Sequence, residues 1–227
     1  MLENTAIVIP ARMESRRLPG KPLLKMADGR TVLEATWAAA RQVSRYVHVA
    51  SPDPEIRDEC ARIRASFLGS LNFPTGTHRC ADAIRGWDWS GVVVNWQVDE
   101  PRVPPAWVEM LVRELLGSDF RIATLIAAPT GLKEFLEDEN RVKVWQGGDP
   151  ELCAGFSRRD DSASFEHVGI YAFRPDALRE LGRLPPSERS AAESLEQIAW
   201  LEAGYRILAV ECPGPAPRAV NVEEDLR

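Results

Sequence analysis

The chain of 227 residues carries 28 Lys and Arg against 34 Asp and Glu, a formal charge of −6, which argues against general nucleic-acid binding. Its 44% hydrophobic and 27% charged residues fit a globular chain able to bury a sizeable core. The longest plainly apolar stretch, Ile122 to Pro129, is far short of the roughly 20 residues that cross a bilayer, so no membrane span is expected.

The start, Met1-Leu-Glu-Asn-Thr5, runs into a strand-like segment without the basic start and small-residue cleavage site of a signal peptide. Cys60, Cys80, Cys153 and Cys212 are scattered, with neither a disulfide framework nor the spacing of a zinc site. Both features point to a cytoplasmic protein with reduced, mostly buried thiols.

Short apolar runs rich in β-branched residues predict strands at Ala6–Ile9, Tyr46–Ala50, Gly91–Asn95 and Ile122–Ile126, and their continuity predicts burial on both faces. Between them the helical pattern predicts helices over Val32–Val43, Glu55–Ala65, Thr77–Trp87 and Ala106–Leu116, the last opened by Pro104-Pro105. Alternating strands and helices give an α/β fold with a mostly parallel sheet. From about residue 143 to 204 the rhythm changes, with strand-like Val142–Trp145 and His167–Phe173 and a helix over Ala191–Ala203. This stretch reads as a smaller α+β lobe inserted for substrate or for dimerisation. Pro213–Pro217 reads as an extended connector, and Asn221 as the cap of a short terminal helix.

The most informative segment is Ile9-Pro-Ala-Arg-Met-Glu-Ser-Arg-Arg-Leu-Pro-Gly-Lys-Pro-Leu23, which follows the first strand at the end where open α/β sheets bind ligands. It holds Arg12, Arg16, Arg17 and Lys21 within ten positions, a concentration of positive charge in a net-negative chain. Such a loop suits a triphosphate: guanidinium forks grip phosphate oxygens bidentately, Lys supplies a mobile charge, and Gly20 permits close backbone approach. Gly20-Lys21 lacks the upstream Gly of a phosphate-binding P-loop and precedes Pro, and no Gly-x-Gly-x-x-Gly follows the first strand. ATPase and NAD-enzyme readings are demoted accordingly. A second informative segment, Asn95-Trp-Gln-Val-Asp-Glu-Pro101, ends a buried strand and puts Gln97, Asp99 and Glu100 on the side of the basic loop, where an Asp suits Mg²⁺.

The basic loop closely resembles the Pro-Ala-Arg-x-x-Ser-x-Arg-Leu-Pro-Gly-Lys-Pro signature of the 3-deoxy-manno-octulosonate (KDO) cytidylyltransferases, within the CMP-sugar-acid synthetase group. The resemblance implies a Rossmann-like nucleotidyltransferase fold as a single domain over 1–227, with CTP and a 2-keto sugar acid as substrates, Mg²⁺ as cofactor and a homodimer as assembly. It implies that Arg12 and Lys21 grip the CTP phosphates, with Ala11, Ser15 and Arg17 in the same pocket. Thr75-Gly-Thr-His-Arg79 resembles the Ser-Gly-Thr-Glu/Asp-Arg turn that contacts the cytosine and its sugar, assigning Thr75, Gly76, Thr77 and Arg79 to the nucleotide. Thr77 also reads as a helix cap. Gln97-Val-Asp-Glu-Pro101 resembles the family's Gln-Gly-Asp-Glu-Pro, making Asp99 a metal ligand and placing Gln97 near the sugar acid. His167 and Tyr171, from His-Val-Gly-Ile-Tyr, and Glu196 and Gln197, from a Leu-Glu-Gln helix start, are implied substrate contacts. Arg158, Arg159 and the pair Gln97 and His167 are candidates for the substrate carboxylate.

Three departures bear on function. Val98 stands where the family has Gly, which predicts an altered backbone or pocket. The segment after Arg158 is shortened. Asn221 stands where the family has a second metal-binding Asp; an amide oxygen coordinates Mg²⁺ without bringing charge. These departures leave open another acceptor, such as an amino-substituted KDO, a nonulosonate or a phosphonate, and a CTP-binding homologue with weakened catalysis. A glycosyltransferase reading lacks an Asp-x-Asp metal motif.

Overall fold

The computed structural model describes residues 1–15, 17–160 and 163–227. Its first half alternates strand and helix: β1 (Thr5–Pro10), α1 (Val32–Val43), β2 (Tyr46–Ser51), α2 (Pro54–Ile63), β3 (Ser66–Gly69), α3 (Gly76–Ala83), β4 (Val92–Trp96), α4 (Pro105–Leu116) and β5 (Ile122–Ala128). The second half contributes α5 (Leu132–Glu137), β6 (Lys143–Gln146), β7 (Cys153–Ser157), β8 (Phe165–Phe173), α6 (Pro175–Leu181), α7 (Glu188–Glu193), α8 (Glu196–Glu202) and β9 (Leu208–Pro215).

One sheet runs in the order β3-β2-β1-β4-β8-β5-β9, with the β6–β7 hairpin branching from β8. Pairings β1–β2, β1–β4, β2–β3 and β5–β9 are parallel, and β8 runs antiparallel to both β4 and β5. The sheet is therefore mostly parallel, as the alternation implies. Period-two alternation divides the strand side chains between two cores. Ile7, Ile9, Val92 and Val94 meet α1, α2 and α4 through Leu33, Ile56 and Leu111, whereas Val8 and Val93 meet α3, α6 and α8 through Ile84, Leu178 and Trp200. The stretch 143–204 is built onto this sheet: its β8 occupies the place between β4 and β5, and its helices line the second core.

Several boundaries differ from the sequence reading. β3 escapes the periodicity because it is a four-residue edge strand whose ends are exposed. The Pro213–Pro217 connector is in part the end of β9, an edge strand, where a missing N–H is tolerated. The helix expected over Ala191–Ala203 is two helices, broken at Ser194 in the left-handed region with φ 53°. Thr75, not Thr77, caps α3: its Oγ1 accepts the His78 N–H. Asn221 caps nothing; the terminal 3₁₀ turn Glu223–Leu226 is closed by Asp225, whose Oδ2 accepts the Asn221 and Val222 N–H groups at 2.8 and 3.0 Å.

Candidate active site

The parallel strands end on one edge of the sheet, and the segments leaving β1, β2 and β4 meet there. Ala11 is buried and donates its N–H to Ala50 at the end of β2, while the Met13 N–H donates to Asp53 Oδ2 at 2.7 Å. Gly20, at φ 70°, closes the loop by donating to the Met13 carbonyl at 3.0 Å, a left-handed position that glycine adopts without strain. Ser15 Oγ accepts the Leu18 N–H at 3.4 Å, stiffening the tip. The loop thus delivers Lys21 inward, only 7% exposed, with Nζ 2.7 Å from Asp99 Oδ2.

This ion pair joins the basic loop to the turn after β4. Asp99 is followed by buried Glu100, whose Oε1 accepts the Gly169 N–H at 2.9 Å; burial, and next the Asp99 charge, push the Glu100 carboxyl up to about 8. The turn is bolted to an irregularity in β8: Leu125 pairs with Val168 but Thr124 pairs with Tyr171, so Gly169 and Ile170 are two extra residues in the pairing with β5. The Gly169 carbonyl accepts the Gln97 N–H, and a Cβ on Gly169 would lie 3.1 Å from Glu100 Oε1.

Val98 is 9% exposed and packs into the first core, its carbonyl accepting the Thr36 hydroxyl at 2.8 Å. It lacks positive φ, so a β-branched residue is accommodated there without left-handed backbone strain.

Across from this turn, the start of α3 meets Gln97: a Cβ on Gly76 would lie 3.3 Å from Gln97 Nε2, which is the close approach a glycine allows. Thr77 donates its N–H to Glu196 Oε2 at 3.2 Å, so the break before α8 sets Glu196 against the nucleotide turn. Burial raises the Glu196 pKa, opposed by hydrogen bonds from the Thr75 and Thr77 hydroxyls and the Thr77 N–H. Arg79 is 3% exposed, donates Nη2 to the Phe73 carbonyl and leaves a buried Nε–H without a partner. Burial lowers its pKa, and the neighbouring Arg12 charge adds to the effect. Arg158 behaves alike: burial first, then Arg17, lowers it. A buried guanidinium donor left unspent, with other cations near enough to disfavour its charge, makes a site that a polyanion stabilises. Arg12 is exposed at the loop, Arg17 donates to Asn140 Oδ1, and Arg16 lies outside the described residues.

The remaining candidates divide. His167 is half-buried, its Nε2 2.9 Å from Thr124 Oγ1. Thr124 commits its one hydroxyl hydrogen to the Ile170 carbonyl, so Nε2 carries the proton and Nδ1 is the bare nitrogen. Burial, with Arg158 second, holds this imidazole down to about 3. Tyr171 and Gln197 are each only 2% exposed. The Tyr171 ring packs on Trp200 and Phe173 in the second core. Arg159 is exposed and paired to Glu139 at 3.0 Å, while the partly buried Arg158 donates Nε and Nη1 to the carbonyls of Glu193 and Glu139 at 2.8 and 2.9 Å.

Asn221 is brought to Asp99 from the far end of the chain, where the Val220 N–H donates to the Asp99 carbonyl at 2.8 Å. The Asp99 carboxylate and the Asn221 amide are hard oxygen donors, the set that suits Mg²⁺ shared with substrate phosphates. Sequence reasoning missed Asp53, Arg102 and Asp225 as supports of the site, and it placed Glu100 on the side of the basic loop without its bond to Gly169. Asp53, Glu100 and Arg102 act on backbone groups remote in sequence, which no spacing signal marks, whereas Asp225 folds its own segment back by binding N–H groups three and four positions away.

Comparison with known proteins bears on this arrangement. A family model described as cytidylyltransferase matches residues 6–207. The 3-deoxy-manno-octulosonate cytidylyltransferase of Xanthomonas euvesicatoria pv. vesicatoria is 35% identical over 97% of this chain and 92% of its own length. That of Synechococcus elongatus is 36% identical over 96% and 93%. A solved CMP:2-keto-3-deoxy-manno-octonic acid synthetase complexed with CTP superposes with a TM-score of 0.85 at 30% identity, covering 98% of this chain and 95% of the other. A match of this extent, over a sheet edge where the basic loop and the Asp99 turn meet, places the chain in the cytidylyltransferase family, with the 3-deoxy-manno-octulosonate cytidylyltransferases.

Proposed function

We propose that the chain activates a 2-keto-3-deoxy sugar acid, KDO or a close analogue, as its CMP derivative: the anomeric hydroxyl attacks the α-phosphorus of CTP in line and pyrophosphate leaves. The observation that carries this reading is the Lys21–Asp99 pair at 2.7 Å, which joins a phosphate-gripping cation to a metal-binding carboxylate 78 positions apart in sequence. Lys21 and Arg12 offset charge developing on the departing pyrophosphate, with Arg17 and Ser15 shaping the loop around it. Thr75, Gly76, Thr77 and Arg79 receive the nucleoside. Gln97, His167 and Glu196 face the sugar acid, and Arg158 takes its carboxylate. Much of the rate enhancement is positional, since the two substrates are held on one rigid sheet edge.

Mg²⁺ held by Asp99 and Asn221 together with substrate phosphate would neutralise charge and lower the pKa of the attacking hydroxyl. Among the described residues there is no cluster of three or more His, Cys, Asp or Glu side chains that could hold a metal, which supports a cation shared with phosphate oxygens and water. The same reading makes the enzyme a cytoplasmic homodimer. Four free, buried cysteines fit a reducing compartment, and no helix among the described residues is long and apolar enough to cross a membrane.

Pyrophosphate release from CTP and Mg²⁺ with KDO, an amino-substituted KDO, a nonulosonate or a phosphonate tests the activity and ranks acceptors. Turnover with none of these acids overturns it. The neutral Asn221 favours one second reading, a CTP-binding homologue with weakened catalysis. Calorimetric CTP binding without turnover, with Asn221→Asp restoring turnover, identifies that case. Sedimentation at micromolar protein tests the dimer.

A further inference from the structure

The turn that carries Asp99 also carries Arg102, and Arg102 reaches the segment that carries Asn221. Its Nη1 donates to the Arg218 carbonyl at 3.2 Å, and its Nη2 to the carbonyls of Asp225 and Arg227 at 2.6 and 3.0 Å. Immediately before Asn221, the Val220 N–H is fixed to the Asp99 carbonyl. Between these anchors Asp225, 4% exposed, folds the segment back on itself by accepting the Asn221 and Val222 N–H groups and pairing with Arg218. A guanidinium suits this task because its five donors form a rigid planar fan and it accepts nothing, so it spans several carbonyls at once.

We propose that Arg102 is a positioning residue that holds Asn221 beside Asp99, so that the two oxygen donors form one preorganised pair for the metal–nucleotide complex. The proposal rests on the reading of Asp99 and Asn221 as metal donors. Asn221 supplies a dipole where a second carboxylate would supply charge, and a dipole's attraction for a cation decays faster with distance and depends on angle. A loosely held segment would therefore forfeit the contribution of Asn221, whereas a carboxylate would retain part of its pull. Three carbonyls tied to the turn that bears Asp99 remove that freedom.

The test is a double-mutant cycle read by Mn²⁺ binding. Mn²⁺ is titrated, by electron paramagnetic resonance, into protein saturated with a non-hydrolysable CTP analogue, for wild type, Arg102→Ala, Asn221→Ala and the double variant. Each single variant is expected to weaken Mn²⁺ by about tenfold. The double variant is expected to be no weaker than the worse single one, because both changes remove the same contribution. Arg102→Lys keeps the charge but cannot span the carbonyls, so it is expected to behave as Arg102→Ala; it replaces that variant in the cycle should the alanine form not fold. In turnover the change falls on kcat, with KM for the sugar acid held within about twofold. Losses that multiply in the double variant, or wild-type Mn²⁺ affinity in Arg102→Ala beside a weakened Asn221→Ala, overturn the positioning role and leave the metal assignment standing. Wild-type affinity in Asn221→Ala overturns the metal assignment of Asn221 and the proposal with it.

Discussion

Lys21 lies 2.7 Å from Asp99 Oδ2, and under the proposed function the same carboxylate would also hold the metal. Asp99→Asn keeps the shape and removes the charge both partners need. Turnover is expected to fall by at least about 10²-fold, with a lowered thermal midpoint because buried Lys21 loses its counter-charge, measured by pyrophosphate release and scanning calorimetry. Unchanged turnover would reduce Asp99 to an acidic turn. His167 allows a residue-scale test of stability. Its folded pKa of about 3 lies below the ordinary imidazole value of 6.5, so the unfolded chain binds more protons between these values. Its stabilising contribution is therefore complete above the unfolded value and is lost as pH falls through the window toward the folded one. Relative to His167→Gln, which retains a donor for Thr124, the wild type is expected to lose on the order of 1–2 kcal/mol between pH 7.5 and pH 5, read by urea unfolding. Equal pH slopes in the two proteins would exclude this assignment.

At the scale of elements, the bulge in β8 decides where the turn after β4 sits. Gly169 lacks positive φ and is needed for room alone, since an added Cβ would press on Glu100 Oε1 at 3.1 Å and Gln97 Cγ at 3.4 Å. Gly169→Ala is expected to cost about 1–2 kcal/mol in stability and to lower kcat severalfold by shifting the Asp99 turn. A variant with wild-type stability and kcat would show that the turn does not depend on the bulge. The bulge also explains a partial success of sequence reasoning. His167 and Tyr171, four apart, were expected on one strand face, and their rings do lie 5.2 Å apart. In a regular strand such a pair would be separated by roughly 13 Å; the extra residues bring them together. Alternation identifies a face, but nothing local announces a bulge whose stabilising bond comes from Glu100, 69 positions away.

For the whole molecule, a body of net charge −6 surrounds an edge where Arg12, Arg17, Lys21, Arg79 and Arg158 converge. Attraction of a triphosphate to such an edge is screened by salt, so KM for CTP is expected to rise severalfold between about 0.05 and 0.5 M NaCl while kcat changes little. Salt-independent KM would contradict the cationic pocket. The sequence by itself determined the alternation of strands and helices, the basic loop and the Asp99 turn, because hydrophobic periodicity and a contiguous motif are local properties. It also marked Asn221 as a departure, which a single position can show. Only the tertiary structure decided that Val98 belongs to the core, that the Tyr171 ring packs in the second core, and that β8 lies antiparallel between two parallel strands. It also decided that Arg102 and Asp225 hold the C-terminal segment at Asp99. Those outcomes depend on backbone groups and core space shared by residues up to 125 positions apart, and such sharing is settled only when the chain has folded.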